Sequence, residues 1–222
     1  MIKLFEILAF AVSAAGFGLG AASLLRRKIP RFFRLHVCAA GCYMLEELWV
    51  VVNSLLGNGS QDGLITVRLF GFFGCLCFLV CANANEYDKV VDDGNHRQAR
   101  LLALGAPAAL LALYGLYTRC ARGSMPAADF VLGFLSICPA LFAAYYSCKH
   151  LLLPEDAMGF LRATRGLDVL ALVFYAANFA YPLADLFLTK TVMSICDLAL
   201  AGLVFGLVLL CRKGARVWET LI

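Results

Sequence analysis

Charge is scarce in this sequence: Asp, Glu, Lys and Arg make up 15% of its 222 residues, whereas 62% are hydrophobic. An ordinary soluble domain carries more charge than this. The shortage excludes a nucleic-acid binder with a basic groove and a soluble enzyme built on a dinucleotide or zinc domain. There are 3 histidines, His36, His96 and His150. Their spacing completes no zinc motif with the cysteines and pairs none of them with a serine nucleophile. Gly16, Gly18 and Gly20 lie in an apolar run with no Lys-Ser or Lys-Thr behind them, so a phosphate-binding loop is absent too. The last apolar run has no lysine at its centre for a retinal Schiff base, since Lys190 stands at its edge. No cofactor and no metal ion are expected.

What is present suits hydrocarbon, with a mean hydropathy of +0.82. At about 1.5 Å per helical residue, seven segments are long enough to cross a core roughly 30 Å thick. They are Leu4 to Leu25, Val37 to Leu56, Leu64 to Ala82, Leu101 to Thr118, Ala127 to Cys148, Leu167 to Leu188, and Thr191 to Cys211. The sequence therefore predicts an all-α polytopic integral membrane protein, one seven-helix transmembrane domain over residues 1–222, in the cell membrane. Only Thr189 and Lys190 separate the last two segments, so the Tyr181-Pro182 pair is expected to kink or end the sixth helix early. Three helices, a linking fourth and three more would be compatible with this count.

Basic residues set the orientation through the positive-inside rule. One set of connections holds Arg26, Arg27, Lys28, Arg31, Arg34, Lys89, Arg97, Arg100, Lys149, Arg162, Arg165, Arg212, Lys213 and Arg216; the other holds Lys3, Arg68, Arg119, Arg122 and Lys190. An outside N terminus and a cytosolic C terminus follow. Cleavage of the first segment as a signal sequence is the alternative, but the Arg26 to Arg34 cluster beyond it favours a retained helix.

Ionisable groups in hydrocarbon face protein or water and so point to function. Glu46 and Glu47 fall near the middle of the second segment, and Glu46 shares a face with Asn53, close to Tyr43 and Trp49. Lys190, Ser194 and Asp197 follow spacings of four and three in the seventh, and Tyr175, Asn178, Tyr181 and Asp185 form a polar and aromatic stripe in the sixth. By helical rise, Glu46 or Glu47 lies about 14 to 15 Å below the outer end of its segment and Asp197 about 9 to 10 Å below its own. One water-accessible cavity would reach all of them, with Arg68 as a positive partner at its mouth. These residues are the expected solute or proton pathway. A structural alternative pairs Glu46 or Glu47 with Lys190 or Arg68 as glue between helices. On the cytosolic side Glu86, Asp88, His150 and Asp168 form an expected gate or partner contact, although their spacing matches no calcium loop.

Most of the 10 cysteines fall inside the segments and read as small apolar fillers. The small residues at Gly16 to Gly20 suit close helix contact. Asn58-Gly59-Ser60 is formally a glycan acceptor in an outside loop. Buried polarity without an attached signalling domain favours a transporter or channel for a small polar solute or ion, with proton coupling. A seven-helix receptor or sensor acting through a cytosolic or membrane protein partner is the second reading. An intramembrane enzyme is the third. The lipid bilayer is an expected partner in all three, and nucleic acid in none.

Overall fold

The computed structural model describes residues 2–25, 29–56, 69–84, 88, 95–121, 127–154 and 160–221. Apart from short turns and connections, they are helical. Helix α1 spans Ile2–Leu24 and α2 spans Arg31–Leu56. A π-helical turn, Leu69–Phe73, leads into α3, Gly74–Ala82. Helix α4 covers Arg97–Cys120. It is interrupted at Leu104, between Arg97–Ala103 and Gly105–Cys120. Pro107 explains the interruption, because its ring would clash with the Ala103 carbonyl of an unbroken helix. Then follow α5, Ala127–Leu152, α6, Phe160–Asp185, and α7, Lys190–Leu221.

Among the described residues, five helices (α1, α2, α4, α6 and α7) are long and apolar enough to cross a membrane. These are the proportions of a polytopic membrane protein. These five overlap the first, second, fourth, sixth and seventh expected segments, but the ends differ. Helix α6 continues to Asp185, past Pro182. The tight link is made instead by residues 186–189, where the Phe187 and Leu188 amides both donate to the Ala184 carbonyl, at 3.0 and 2.9 Å. Toward the expected cytosolic side, α2, α6 and α7 all outrun the apolar segments. Arg31, Arg34, Arg162, Arg165, Arg212, Lys213 and Arg216 therefore stand on helix rather than in loops. Trp218, at the far end of α7, packs edge-on against Phe32 of α2 at 6.2 Å.

Close approach is made by small residues, as helix association in lipid requires. A Cβ on Gly16 would meet the Phe205 backbone of α7 at 3.2 Å, and one on Gly20 would meet Val37 of α2 at 2.8 Å and Val208 of α7 at 3.3 Å. From these pairs α1 runs parallel to α7 and antiparallel to α2. In the same way Gly206 on Leu170 and Gly214 on Thr164 set α7 antiparallel to α6. Helix α2 packs on α1, α3 and α7; α5 packs on α3, α4 and α6; and α6 packs on α4, α5 and α7. Two three-helix groups, α1 to α3 and α5 to α7, thus close on each other through α1 against α7 and α3 against α5. Helix α4 lies outside the ring on α5 and α6, with Leu101, Leu102, Leu104, Leu111 and Leu116 exposed.

The tightest point is Gly71, in the π-helical turn, where a Cβ would stand 2.5 Å from the Glu46 Cβ and 3.2 Å from the Cys42 carbonyl oxygen. Replacing Gly71 with Val forces α2 and α3 apart, and thermal unfolding in detergent should show a loss of about 1–3 kcal/mol. Gly18→Val meets nothing within 4 Å and should leave the melting curve in place.

Candidate functional site

Many polar side chains inside the helices serve their own helix. The Ser13 hydroxyl donates to Ala9 O at 2.9 Å, Ser23 to Leu19 O at 2.9 Å, and Thr164 to Leu161 O at 3.2 Å. Two expected pathway residues do the same: the Asn178 amide donates to Phe174 O at 2.8 Å and the Ser194 hydroxyl to Lys190 O at 3.0 Å. Such bonds close locally and need no neighbouring helix. The site is therefore best sought where polar groups meet across helices.

They do so in two places. The first joins α2 to α7. Buried Tyr43 hydrogen-bonds its i+4 neighbour Glu47 and lies within electrostatic reach of Glu46 and Asp197. Glu47 is buried, while Glu46 and Asp197 are half-buried. The Glu46 carboxylate tucks under the π-helical turn, with Oε2 3.1 Å from where a Gly71 Cβ would stand. Asn53 and Tyr181 are half-buried nearer the expected outer side, and Asp185 and Lys190 are exposed at the α6–α7 link. Arg68 lies outside the described residues.

The second place joins α5, α6 and the connection between α3 and α4. His150, wholly buried near the end of α5, stands between two carboxylates: Nε2 is 3.2 Å from Asp88 Oδ1 and Nδ1 is 3.5 Å from Asp168 Oδ1. Lys149, also buried, forms an ion pair with Asp88 and places its ammonium over the rings of Tyr146 and Tyr145, 5.1 and 5.8 Å from their centroids. Two anions thus face two cations, which is how such a group tolerates burial. One helical turn closer to the bundle centre, Asn83 donates to Ser147 at 3.3 Å. The buried Tyr175 hydroxyl lies beside Ser147 and within electrostatic reach of Asp168 and Cys75.

An aromatic layer lies between these places. Tyr43 meets Phe174 edge-on at 6.0 Å, and Phe174 meets Tyr175 at 5.9 Å. Tyr43 carries the layer to the outer carboxylates, and Tyr175 carries it to the inner group. Nearer the surface, an open cleft of about 480 Å³ lies between α4 and α5, lined by Asn95, His96, Arg97, Leu102 and Leu152 among others.

Asp88, His150 and Asp168 are thus brought together, as are Glu46, Glu47 and Asp197, whereas Glu86 lies outside the described residues. Two members of the inner group, Ser147 and Lys149, are not singled out for it by sequence reasoning. Their signal was spacing: Ser147 and His150 are three apart on one face of α5, and Lys149 is the adjacent residue. Among the described residues, no three His, Cys, Asp or Glu side chains converge to hold a metal ion. No family model, curated protein or solved structure matches the chain.

His150 lies two residues beyond the expected fifth segment, and Asp88 lies between helices. Burial works to raise the Asp88 carboxyl, but the hydrogen bonds and charges of His150 and Lys149 outweigh it and hold it below its ordinary 3.8. Burial works to lower His150, but Asp168 and Asp88 outweigh it and hold the imidazole above 6.5. A depressed carboxyl stabilises the fold above its unfolded value and loses that contribution as pH falls through its folded value. A raised imidazole contributes fully below 6.5 and loses its share as pH rises through its folded value. Thermal stability in detergent should therefore be greatest between about pH 4 and 6.5 and decline on both sides. In Asp88→Asn the alkaline decline should begin at lower pH, because His150 has lost one anion.

Proposed function

We propose that the protein is a membrane transporter that moves protons, alone or with a small polar solute, through the centre of the bundle. One observation carries this reading: buried and half-buried ionisable groups stand on both sides of the Tyr43, Phe174 and Tyr175 layer, Glu46, Glu47 and Asp197 toward one face, Asp168, His150 and Asp88 toward the other. Carboxylates and an imidazole at such depth are costly unless they exchange protons or bind something. The aromatic layer interrupts a continuous file of water. Passage then requires the α1 to α3 group to shift against the α5 to α7 group, the rocking expected of a bundle with two three-helix halves. The outer carboxylates take up protons from one side, and His150, held between Asp88 and Asp168, exchanges them with the other. Asn53, Tyr181, Asp185 and Lys190 line the outer mouth in this reading.

The topology that goes with it has seven crossings in the cell membrane, the N terminus outside and the C terminus cytosolic. The parallel run of α1 and α7 supports it. A chain retaining only Cys120, which is exposed at the end of α4, should react with a membrane-impermeant maleimide from outside intact cells. A tag following Ile222 should be reached only after permeabilisation. The reverse pattern would invert the orientation.

The activity itself is tested in sealed proteoliposomes with a trapped pH dye, under an imposed pH gradient and a scan of small ions and metabolites. Glu47→Gln and His150→Gln should each slow proton movement by roughly 10²-fold, with Glu46→Gln and Asp197→Asn affected less. Flux unchanged in all four variants would remove these groups from the mechanism. Specific solute binding with no movement would instead favour a sensor working through a partner.

A further inference from the structure

The open cleft of about 480 Å³ between α4 and α5 takes no part in the proton pathway. Its size is that of a site for a small organic group. Two sets of side chains line it, and they differ in chemistry. Asn95, His96, Arg97 and Gln98, where the chain enters α4, bring a guanidinium, an imidazole and two carboxamides. Leu102 of α4 and Leu152 at the end of α5 bring an apolar wall. Among the described residues that line it there is no carboxylate, so the polar half is rich in donors and suits an anion. Arg97 is exposed there.

The apolar half is open as well, since Leu102 is 67% and Leu152 43% exposed. Leu101 and Leu104 are exposed beside them, and they continue the apolar surface along α4, the helix that lies outside the ring. The change from polar to apolar lining on α4 falls at the Arg100 to Leu101 step, where the expected fourth segment begins. The cleft therefore straddles the expected edge of the hydrocarbon, with its polar half on the aqueous side.

We propose that this cleft holds the headgroup of an anionic phospholipid of the phosphatidylglycerol type, which enters sideways from the adjoining leaflet with a chain along the exposed leucines of α4. A phosphate accepts two parallel N–H bonds from a guanidinium such as that of Arg97. The carboxamides of Asn95 and Gln98 both donate to and accept from hydroxyls, which a glycerol headgroup carries. A choline or ethanolamine headgroup adds a cation, and the described lining offers it no carboxylate. A free phosphate leaves the leucine wall in water, whereas an acyl chain covers it. The inference does not rest on the transport reading.

The test reconstitutes the full-length protein in nanodiscs of phosphatidylcholine and phosphatidylglycerol with identical acyl chains and scores retained lipid by native mass spectrometry. Wild type should retain phosphatidylglycerol in preference to phosphatidylcholine. Arg97→Gln should cut that preference about fivefold. Leu102→Trp fills the apolar half with the cations left in place, and it should also lower retention of phosphatidylglycerol. Lys213→Gln with Arg216→Gln removes two exposed cations of α7, away from the cleft, and should leave the preference unchanged. Unchanged helicity and thermal unfolding establish that each variant is folded. Equal retention of the two lipids by wild type, or an undiminished preference in the folded Arg97→Gln and Leu102→Trp variants, would overturn the proposal. So would an equal loss in the α7 double variant, which would reduce the effect to general surface charge. Displacement of the lipid by millimolar soluble glycerol phosphate would overturn it too, by giving the cleft to a free phosphate. Proton flux is not read, so a failure here leaves the transport reading standing.

Discussion

A polypeptide surrounded by hydrocarbon has no water to satisfy its backbone, and the rest of this structure follows from that constraint. It explains why every described segment is helical. It also explains the behaviour of many hydroxyls and amides along the helices, which turn back to a carbonyl three or four residues earlier. His36 does the same, with Nδ1 2.8 Å from Phe32 O. Such groups are neutral toward association. What remains to hold helices together is close packing of small residues, seen at Gly16, Gly20, Gly71 and Gly206, and a few polar contacts that cross between helices. Those few are informative because the same constraint makes them expensive.

Seen this way, the fold was largely legible in the sequence and the site only partly so. Long apolar runs separated by charge marked where the long apolar helices of the described residues lie, because the transfer cost of charge dominates composition. On the expected cytosolic side the helices outrun the apolar runs, because a helix does not stop where lipid stops. Arg31 and Arg34 in α2, and Arg212, Lys213 and Arg216 in α7, continue the helix into the polar region, and Phe32 and Trp218 pack there in turn. Near Pro182 the expected early end is seen a little later: a proline near a helix end leaves enough hydrogen bonds intact for the helix to run on to Asp185, short of the expected Leu188.

Among polar residues the sequence supplies a face but not a partner. Glu46 and Asn53 share a stripe, yet the residue that hydrogen-bonds Tyr43 is Glu47, because i to i+4 contact outweighs stripe membership. Asn178 and Ser194 look equally suited to a pathway in the sequence, but a bond to their own helix is invisible at that level. Asp88, His150 and Asp168 could be nominated together only as charges near one boundary. That Lys149 completes the group, and that His150 stands between the two acids, depends on how α5 packs on α6 and on the connection after α3.

The two polar groups also differ in how they can respond to a proton. The inner group balances two anions with two cations, so removing the His150 proton leaves it with a net negative charge in a poorly solvated place, and Lys149 alone must then hold Asp88. The outer group gathers three carboxylates around one tyrosine. On the transport reading the two groups act at different contacts: a proton on the outer carboxylates alters the meeting of α2 with α7, while deprotonation of His150 loosens α5 from α6. The Tyr43 and Phe174 edge contact, where α2 of one three-helix group meets α6 of the other, is the point at which the two must be reconciled.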